Sequence, residues 1–345
     1  MVTVRRFGSA FAACVCAVLV ATASATARHS ATPRSPQGCS PQKRGHWAIY
    51  PLCYERKLSS PQYIEAGADG HLWFVDNAIQ KISTQGVLTH VSSVDAQSTI
   101  SSASNGDLWF GTEYSDFIGK VTLHGQTTTY GGTSGCCVTG LTQGPDGNMW
   151  FTEAYQDKIG RISPSGVIKT YVIPPVKGVT WAKPDAYDIT VGPDGNLWYT
   201  DFGTDSIGRF DPRTHRFLRA FRLSKYSSNI YPYRIKPGGD GNMWFTTVGS
   251  DGYGMGRVTM KGGITRYATH FGLGIDEAPN GDLWFAEGSA IGHILPKSQT
   301  FAPSLVLPSW MPAVSELTFG SDNNIWFAPG YALGYGQHYV GQYVF

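Results

Sequence analysis

The sequence predicts an all-β fold: a seven-bladed β-propeller of four-stranded antiparallel blades, closed by an N-terminal strand that completes the last blade. Three observations predict it. First, a tryptophan motif recurs as "DGHLWF", "NGDLWF", "DGNMWF", "DGNLWY", "DGNMWF", "NGDLWF" and "DNNIWF". This sets Trp73, Trp109, Trp150, Trp198, Trp244, Trp284 and Trp326 in register, at intervals of 36 to 48 residues. Such a period, with tryptophan in every unit, marks a small antiparallel sheet repeated around an axis. Second, the 345 residues are 41% hydrophobic and only 15% charged, which fits a globular β-rich chain long enough for a sizeable core. Third, the seventh unit runs out at "HYVGQYVF", its third strand, while "GHWAIYPL", residues 45 to 52, reads as an unpaired outer strand ahead of the first unit. Pairing the two covers an open sheet edge.

The N-terminal residues are read apart from the fold. Arg5 and Arg6 precede an apolar run from Phe11 to Val20, followed by Ala-x-Ala spacing at Ala23 to Ala25 and at Ala25 to Ala27. This is the pattern of a secretion signal over residues 1–27, cleaved near Ala25 or Ala27. The run is short of the about 20 apolar residues that span a bilayer. The expectation is a secreted or periplasmic monomer with no membrane partner. Residues 28–44 read as a linker and 45–345 as the propeller. A net charge of +2 with scattered Lys and Arg excludes a phosphate-tracking stripe, and with it nucleic acid.

Four cysteines remain after cleavage: Cys39, Cys53, Cys136 and Cys137. In an oxidising compartment Cys39 and Cys53 are disulfide candidates that would staple the N-terminal segment. Adjacent Cys136 and Cys137 form either a strained ring or a pair of buried thiols.

Each unit then follows one order: an apolar strand, a turn, the Trp strand, a short loop, a third strand such as "KIGRI", a second turn, and an outer strand such as "VIKTYVI". The first turns are Asp69-Gly70, Asn105-Gly106, Asp146-Gly147, Asp194-Gly195, Asp240-Gly241 and Asn280-Gly281, with Asn323-Asn324 read as the seventh. These residues tolerate the positive φ of a two-residue hairpin. Six of the seven third strands carry a mid-strand Gly, which implies an aromatic side chain of the neighbouring strand lying over the backbone. A buried Trp removes about 150 to 250 Å² from water, and truncating one costs about 3 to 5 kcal/mol. Packing alone therefore accounts for the repeat.

"GPDGNMWFTEAYQDKIGRI" and "GPDGNLWYTDFGTDSIGRF" resemble the repeats of the streptogramin B lyase family, also known as virginiamycin B lyases, and the similarity runs from about Ser60 to Phe345. The resemblance implies a seven-bladed propeller and, for its characterised lyases, magnesium-assisted elimination at the ester of a cyclic depsipeptide antibiotic. It also implies a His before the first strand of the sixth blade, a Glu and a His before that of the seventh, and a Glu just after the seventh blade's "IWFA". Here "FGLGIDEAPNGDLWF" places Leu273 at the first, "MPAVSELTFGSDNNIWF" places Ala313 and Ser315 at the second and third, and "IWFAPG" places Gly330 at the last. Elimination needs a base and an acid or metal, and Leu273 and Ala313 can be neither. His270 and Glu316, close by, are the remaining catalytic candidates.

The carboxylates Asp76, Glu153, Asp201 and Glu287 recur after the Trp strand and read as exposed partners of the Lys or Arg on the next strand. The nine histidines do not cluster at metal-ligand spacing; His71, His124 and His293 read as surface residues. No nucleophile motif appears. Aromatic residues gather in the connections on one face: Trp181, Tyr187, Tyr231, Tyr233, Trp310 and Tyr331, with Tyr155 and Tyr226 near them. An aromatic face with few charges suits a small molecule, a glycan or a peptide. The expectation is a non-catalytic binding or scaffold module with no cofactor. The enzymatic alternative is a lyase or gluconolactonase-like hydrolase using Mg²⁺.

Overall fold

The computed structural model describes residues 40–52, 60–112, 115–133, 137–180, 182–224, 230–249, 254–268, 272–311, 313–330 and 338–345. Seven antiparallel sheets follow one another along the chain. Their first strands are Tyr63–Ala66, Thr99–Ser102, Val138–Gln143, Ala186–Val191, Tyr231–Pro237, Ile275–Glu277 and Glu316–Phe319. Those of successive blades contact one another and enclose the axis. Blade 3 shows the common order: Val138–Gln143, Met149–Glu153, Lys158–Ile162 and Ile168–Val172, each paired to the next.

The ring closes as the sequence predicts. Trp47–Pro51 pairs antiparallel with Tyr339–Tyr343, the third strand of blade 7. Tyr50 stacks on Trp326 at 5.3 Å, as Tyr130 of a regular outer strand stacks on Trp109 at 5.7 Å. One boundary is corrected: Gln42–Arg44, expected in the linker, adds a fifth strand outside Trp47–Pro51 through a hairpin. The signal segment and Cys39, Cys53 and Cys136 lie outside the described residues; Cys137 is buried, with φ at 70°.

Each motif Trp is wedged between its own blade and the next. Trp150 packs on Leu197, Tyr199 and Phe210 of blade 4, and Trp326 carries the pattern past the closure onto Leu72, Phe74 and Ile82 of blade 1. The hairpin Asp has a second role beyond the turn. Asp69, Asp146, Asp194 and Asp240 each accept a hydrogen bond from the indole N–H four residues on, at 2.9 to 3.0 Å. In blade 7 that acceptor is Asp322, and Asn323 takes the positive φ of 58°. The seventh turn is therefore Asp322-Asn323, one residue earlier than its sequence reading. Gly67, Gly144, Gly192, Gly238 and Gly320 precede these five turns, and a Cβ there would stand 2.4 to 2.8 Å from the Trp ring. Blades 2 and 6 instead pair Ala103 with Asn105 and Ala278 with Asn280.

The mid-strand glycines are covered as expected, by the residue after each Trp. A Cβ at Gly119, Gly160, Gly208, Gly256, Gly292 or Gly341 would lie 2.0 to 2.2 Å from Phe110, Phe151, Tyr199, Phe245, Phe285 or Phe327. Three of the four carboxylates after the Trp strand are corrected. Asp76, Glu153 and Asp201 are buried, while the third-strand Lys81, Arg209 and Arg257 reach back to the hairpin Asp69, Asp194 and Asp240. The register explains it, since Lys81, Arg209 and Arg257 lie opposite Trp73, Trp198 and Trp244, toward the hairpin end. His293 is corrected too: it stacks flat on Trp284 at 4.0 Å rather than standing in solvent.

Candidate ligand site at the channel

Side chains from the first strands meet across the axis around Arg234. Its Nε and Nη2 both donate to Glu316 Oε1, at 3.0 and 2.8 Å, and Nη2 also reaches the Tyr63 hydroxyl. Blades 5, 7 and 1 are thereby tied through one guanidinium. Its plane lies 4.4 Å from the Tyr63 ring, 4.6 Å from Tyr233 and 5.4 Å from Tyr187, and Asp188 Oδ1 stands 4.0 Å from Nη1. Burial opposes the charge on Arg234, but Glu316, Tyr63, Tyr233 and Asp188 outweigh it and hold its pKa well above the ordinary value. The cation is fixed in place.

A second pair lies beside it. Lys236 Nζ stands 3.2 Å from Asp276 Oδ1, whose other oxygen accepts from Thr318 Oγ1 at 3.0 Å. Asp276 raises the pKa of Lys236 against the opposing desolvation. Glu65, half-buried nearby, is pushed up to about 6 by desolvation.

Two of the six predicted ligand-binding residues, Tyr187 and Tyr233, meet beside Arg234, and Tyr231 joins them through Phe202. Tyr187 and Tyr233 stack at 4.8 Å with hydroxyls 3.4 Å apart, and Tyr231 stacks on Phe202 at 4.4 Å. All three tyrosines are half-buried and pack on one cluster with Leu273. Trp310 packs on the same cluster and lies under the guanidinium of Arg44, on the outermost strand of blade 7, at 5.3 Å. Trp181, Tyr226 and Tyr331 lie outside the described residues.

The positions where the resemblance implies catalytic groups converge between blades 6 and 7. Gly274, beside Leu273, donates its N–H to the Ser315 carbonyl at 2.7 Å. A Cβ at Gly330 would lie 2.5 Å from Ser315 Oγ. Leu273, Ala313 and Ser315 are all buried. The four side chains at these positions supply one hydroxyl and no carboxylate or imidazole, so they do not themselves fit a magnesium ion; among the described residues the nearest carboxylate is Glu316, whose Oε2 lies against Gly274. Glu316 turns to the axis as the partner of Arg234, and His270 lies outside the described residues. Among the described residues no three His, Cys, Asp or Glu side chains stand together as a metal site.

Arg234, Tyr63, Asp188 and Lys236 were not singled out in the sequence. The available cue was "YRIKP": two cations alternating within a strand that a propeller buries against its axis.

The comparisons with known proteins agree with this architecture. The virginiamycin B lyase family model matches residues 48–182 and 177–336. A streptogramin B lyase structure is 28% identical, with a TM-score of 0.70, covering 86% of this chain and 97% of that one. A catalytically inactive variant of virginiamycin B lyase from Staphylococcus aureus, with quinupristin, is 24% identical, with a TM-score of 0.72, covering 87% and 99%. The extracellular domain of a hybrid two-component system from B. thetaiotaomicron shares the fold at 12% identity, with a TM-score of 0.66, covering 86% and 39%. Among curated proteins there is no match. With the repeat, the closure and the seven sheets in agreement, the chain belongs to the virginiamycin B lyase family.

Proposed function

We propose that this protein is an exported, non-catalytic propeller that binds a small molecule, glycan or peptide at the tyrosine-lined mouth of its channel. One observation carries the reading: the side chains at the four lyase-like positions are Leu273, Ala313, Ser315 and Gly330, which supply neither a base nor a metal-holding carboxylate. Proton abstraction beside a carbonyl needs such a group, whereas binding needs only a shaped surface. Tyr187 and Tyr233 present aromatic faces to a fixed cation, with Tyr231 stacked on Phe202 next to Tyr187, which favours a sugar ring or an apolar peptide carrying an acceptor group. Export rests on the N-terminal signal pattern. Among the described residues no helix is long and apolar enough to cross a membrane.

Family membership favours one other reading, a magnesium-dependent lyase, since fold and activity are separable but related. The two part on one assay. The purified protein is incubated with quinupristin and Mg²⁺ and the products are separated by chromatography with mass detection. Elimination yields a linear isomer of unchanged mass, and hydrolysis adds one water. The expected result is intact macrocycle; a linear product that disappears with EDTA overturns the proposal. Glycan and peptide arrays then test binding, with Tyr187→Ala and Tyr233→Ala expected to lose the ligands that the wild type retains. Equal retention removes the mouth as the contact surface.

A further inference from the structure

Blade 4 departs from the repeat at two coupled places. The residue after the motif Trp is Phe in six blades and Tyr199 in the fourth. Like its counterparts it lies over a mid-strand glycine, Gly208, so its hydroxyl projects beyond the third strand toward the outer one. In blades 2, 3 and 5 the outer strand runs unbroken opposite that glycine, through Thr129, Thr170 and Arg266. In blade 4 it splits into Arg216–Phe217 and Phe221–Arg222. Leu218, Arg219 and Ala220 then face only Gly208 and Arg209, which is a bulge. The bulge opens space where the extra oxygen points.

That space is a cavity of about 610 Å³ at the rim between blades 4 and 5, within the about 300 to 1,000 Å³ common for small-ligand sites. Tyr199 is 3% exposed and lines it. Among the described residues its hydroxyl has no hydrogen-bond partner, and burial raises its pKa well above the ordinary value, so it remains a donor at every working pH. Lys177, Arg209, Arg219 and Arg222 also line the cavity, and among the described residues no Asp or Glu does. Arg209 spends Nη2 on Asp194, while its Nε is buried without a hydrogen-bond partner. Pro174, Pro175 and Leu218 give the cavity an apolar wall.

We propose that this cavity binds an organic anion, with a ring or acyl body on the apolar wall and a carboxylate, sulfate or phosphate oxygen taken by Tyr199 and the surrounding cations. Charge-assisted hydrogen bonds of this kind are roughly twice as strong as neutral ones. The site stands apart from the channel and is independent of the function proposed for it.

Calorimetric titration of the purified protein with phenyl phosphate, benzoate and benzyl alcohol tests the assignment. The two anions are expected to bind saturably, the neutral alcohol about tenfold more weakly, and added salt to weaken only the anions. Either anion being preferred supports the site and identifies its oxyanion. Tyr199→Phe restores the side chain of the other six blades and so keeps the fold; it is expected to weaken the preferred anion about five- to tenfold. Arg219→Gln, on the exposed bulge, is expected to weaken it severalfold. Tyr233→Ala, at the channel mouth, is expected to leave it unchanged, which separates failure here from failure of the channel. Absence of saturable anion binding, equal binding of benzyl alcohol, or wild-type affinity in both Tyr199→Phe and Arg219→Gln overturns the proposal.

Discussion

At the hairpins the blades repeat one contact, while at the first strands no two blades present the same side chains. Blades 1, 3, 4, 5 and 7 each hold an indole N–H on a turn Asp with a glycine beneath. Around the axis, by contrast, a single Arg234 gathers Tyr63, Tyr187, Tyr233 and Glu316 from four different blades. Repetition marks what every blade needs to pack against its neighbour. A buried charge cluster that occurs once needs another explanation, because such clusters rarely stabilise more than well-packed apolar residues do. The repeated contacts build the ring, and the binding proposed above rests on the unrepeated ones.

The largest test removes the piece that lets the repeated contacts form a ring. Deleting residues through Leu52 takes away the partner of Tyr339–Tyr343 and the Tyr50 ring on Trp326. It also removes the hydrogen bond from the Tyr50 hydroxyl to Gln342 at 2.8 Å. Loss of cooperative melting is expected by circular dichroism. A melting curve like that of the intact protein would mean that the rim holds without closure.

Next in size, Arg234→Met leaves Glu316 buried without its cation, which is expected to cost about 3 to 5 kcal/mol. The denaturant midpoint measures it. Adding Glu316→Gln should recover most of that loss, since the orphaned charge is gone. A double variant no more stable than the single one would show that the tyrosine cage depends on the guanidinium itself.

How much of this the sequence disclosed follows the same divide. The seven Trp positions, the glycines under Phe or Tyr, and the closing strand were readable because each is a local pattern, repeated in register. Asp322-Asn323 was misread by one residue because two asparagines in succession both tolerate positive φ. The buried Asp76 and Asp201 were misplaced because a carboxylate near a basic residue in sequence says nothing of which end of the strand each occupies. Arg234 and Glu316 meet only when blades 5 and 7 face each other across the axis, and no periodicity encodes that. Of the aromatic residues chosen for their place in the connections on one face, Tyr187, Tyr231, Tyr233 and Trp310 pack on one cluster, but Tyr187 and Tyr233 reach Arg234 while Trp310 lies under Arg44, contacts set by strand placement rather than by residue type.

A smaller effect separates buried carboxylates that have no cation from those that have one. Burial pushes Asp76 up to about 7, with Gln80 as its hydrogen-bond donor, and pushes Asp185 to about 7 and Asp201 to about 6. A carboxyl whose folded pKa is raised binds its proton more tightly when folded. The stability it confers is fully present below the unfolded value near 4 and is lost as pH rises through the folded value. The melting temperature should therefore fall between pH 4 and pH 8. Asp76→Asn keeps an oxygen for Gln80 and removes the charge, so it should flatten that fall and raise the melting temperature by several degrees at pH 8. If Asp76→Asn melts with the wild-type slope, desolvation does not govern this site.

The finest distinction lies within the rim itself, between the five Gly-and-Asp hairpins and the two built from Ala and Asn. At Gly144 an added Cβ would stand 2.5 Å from the Trp150 ring, so Gly144→Ala must shift an indole that Asp146 holds at 3.0 Å. Overpacking of that kind costs about 1 to 3 kcal/mol. In blade 2 the reverse exchange, Ala103→Gly with Asn105→Asp, converts one hairpin type into the other. The added glycine costs about 0.5 to 1 kcal/mol. The new bond from the Trp109 indole contributes about 0.5 to 1.5 kcal/mol. The two nearly cancel, so the double variant should match the wild type in denaturant while either single change falls below it. Equal losses from Gly144→Ala and from the paired exchange would mean that glycine and aspartate occur together without depending on each other.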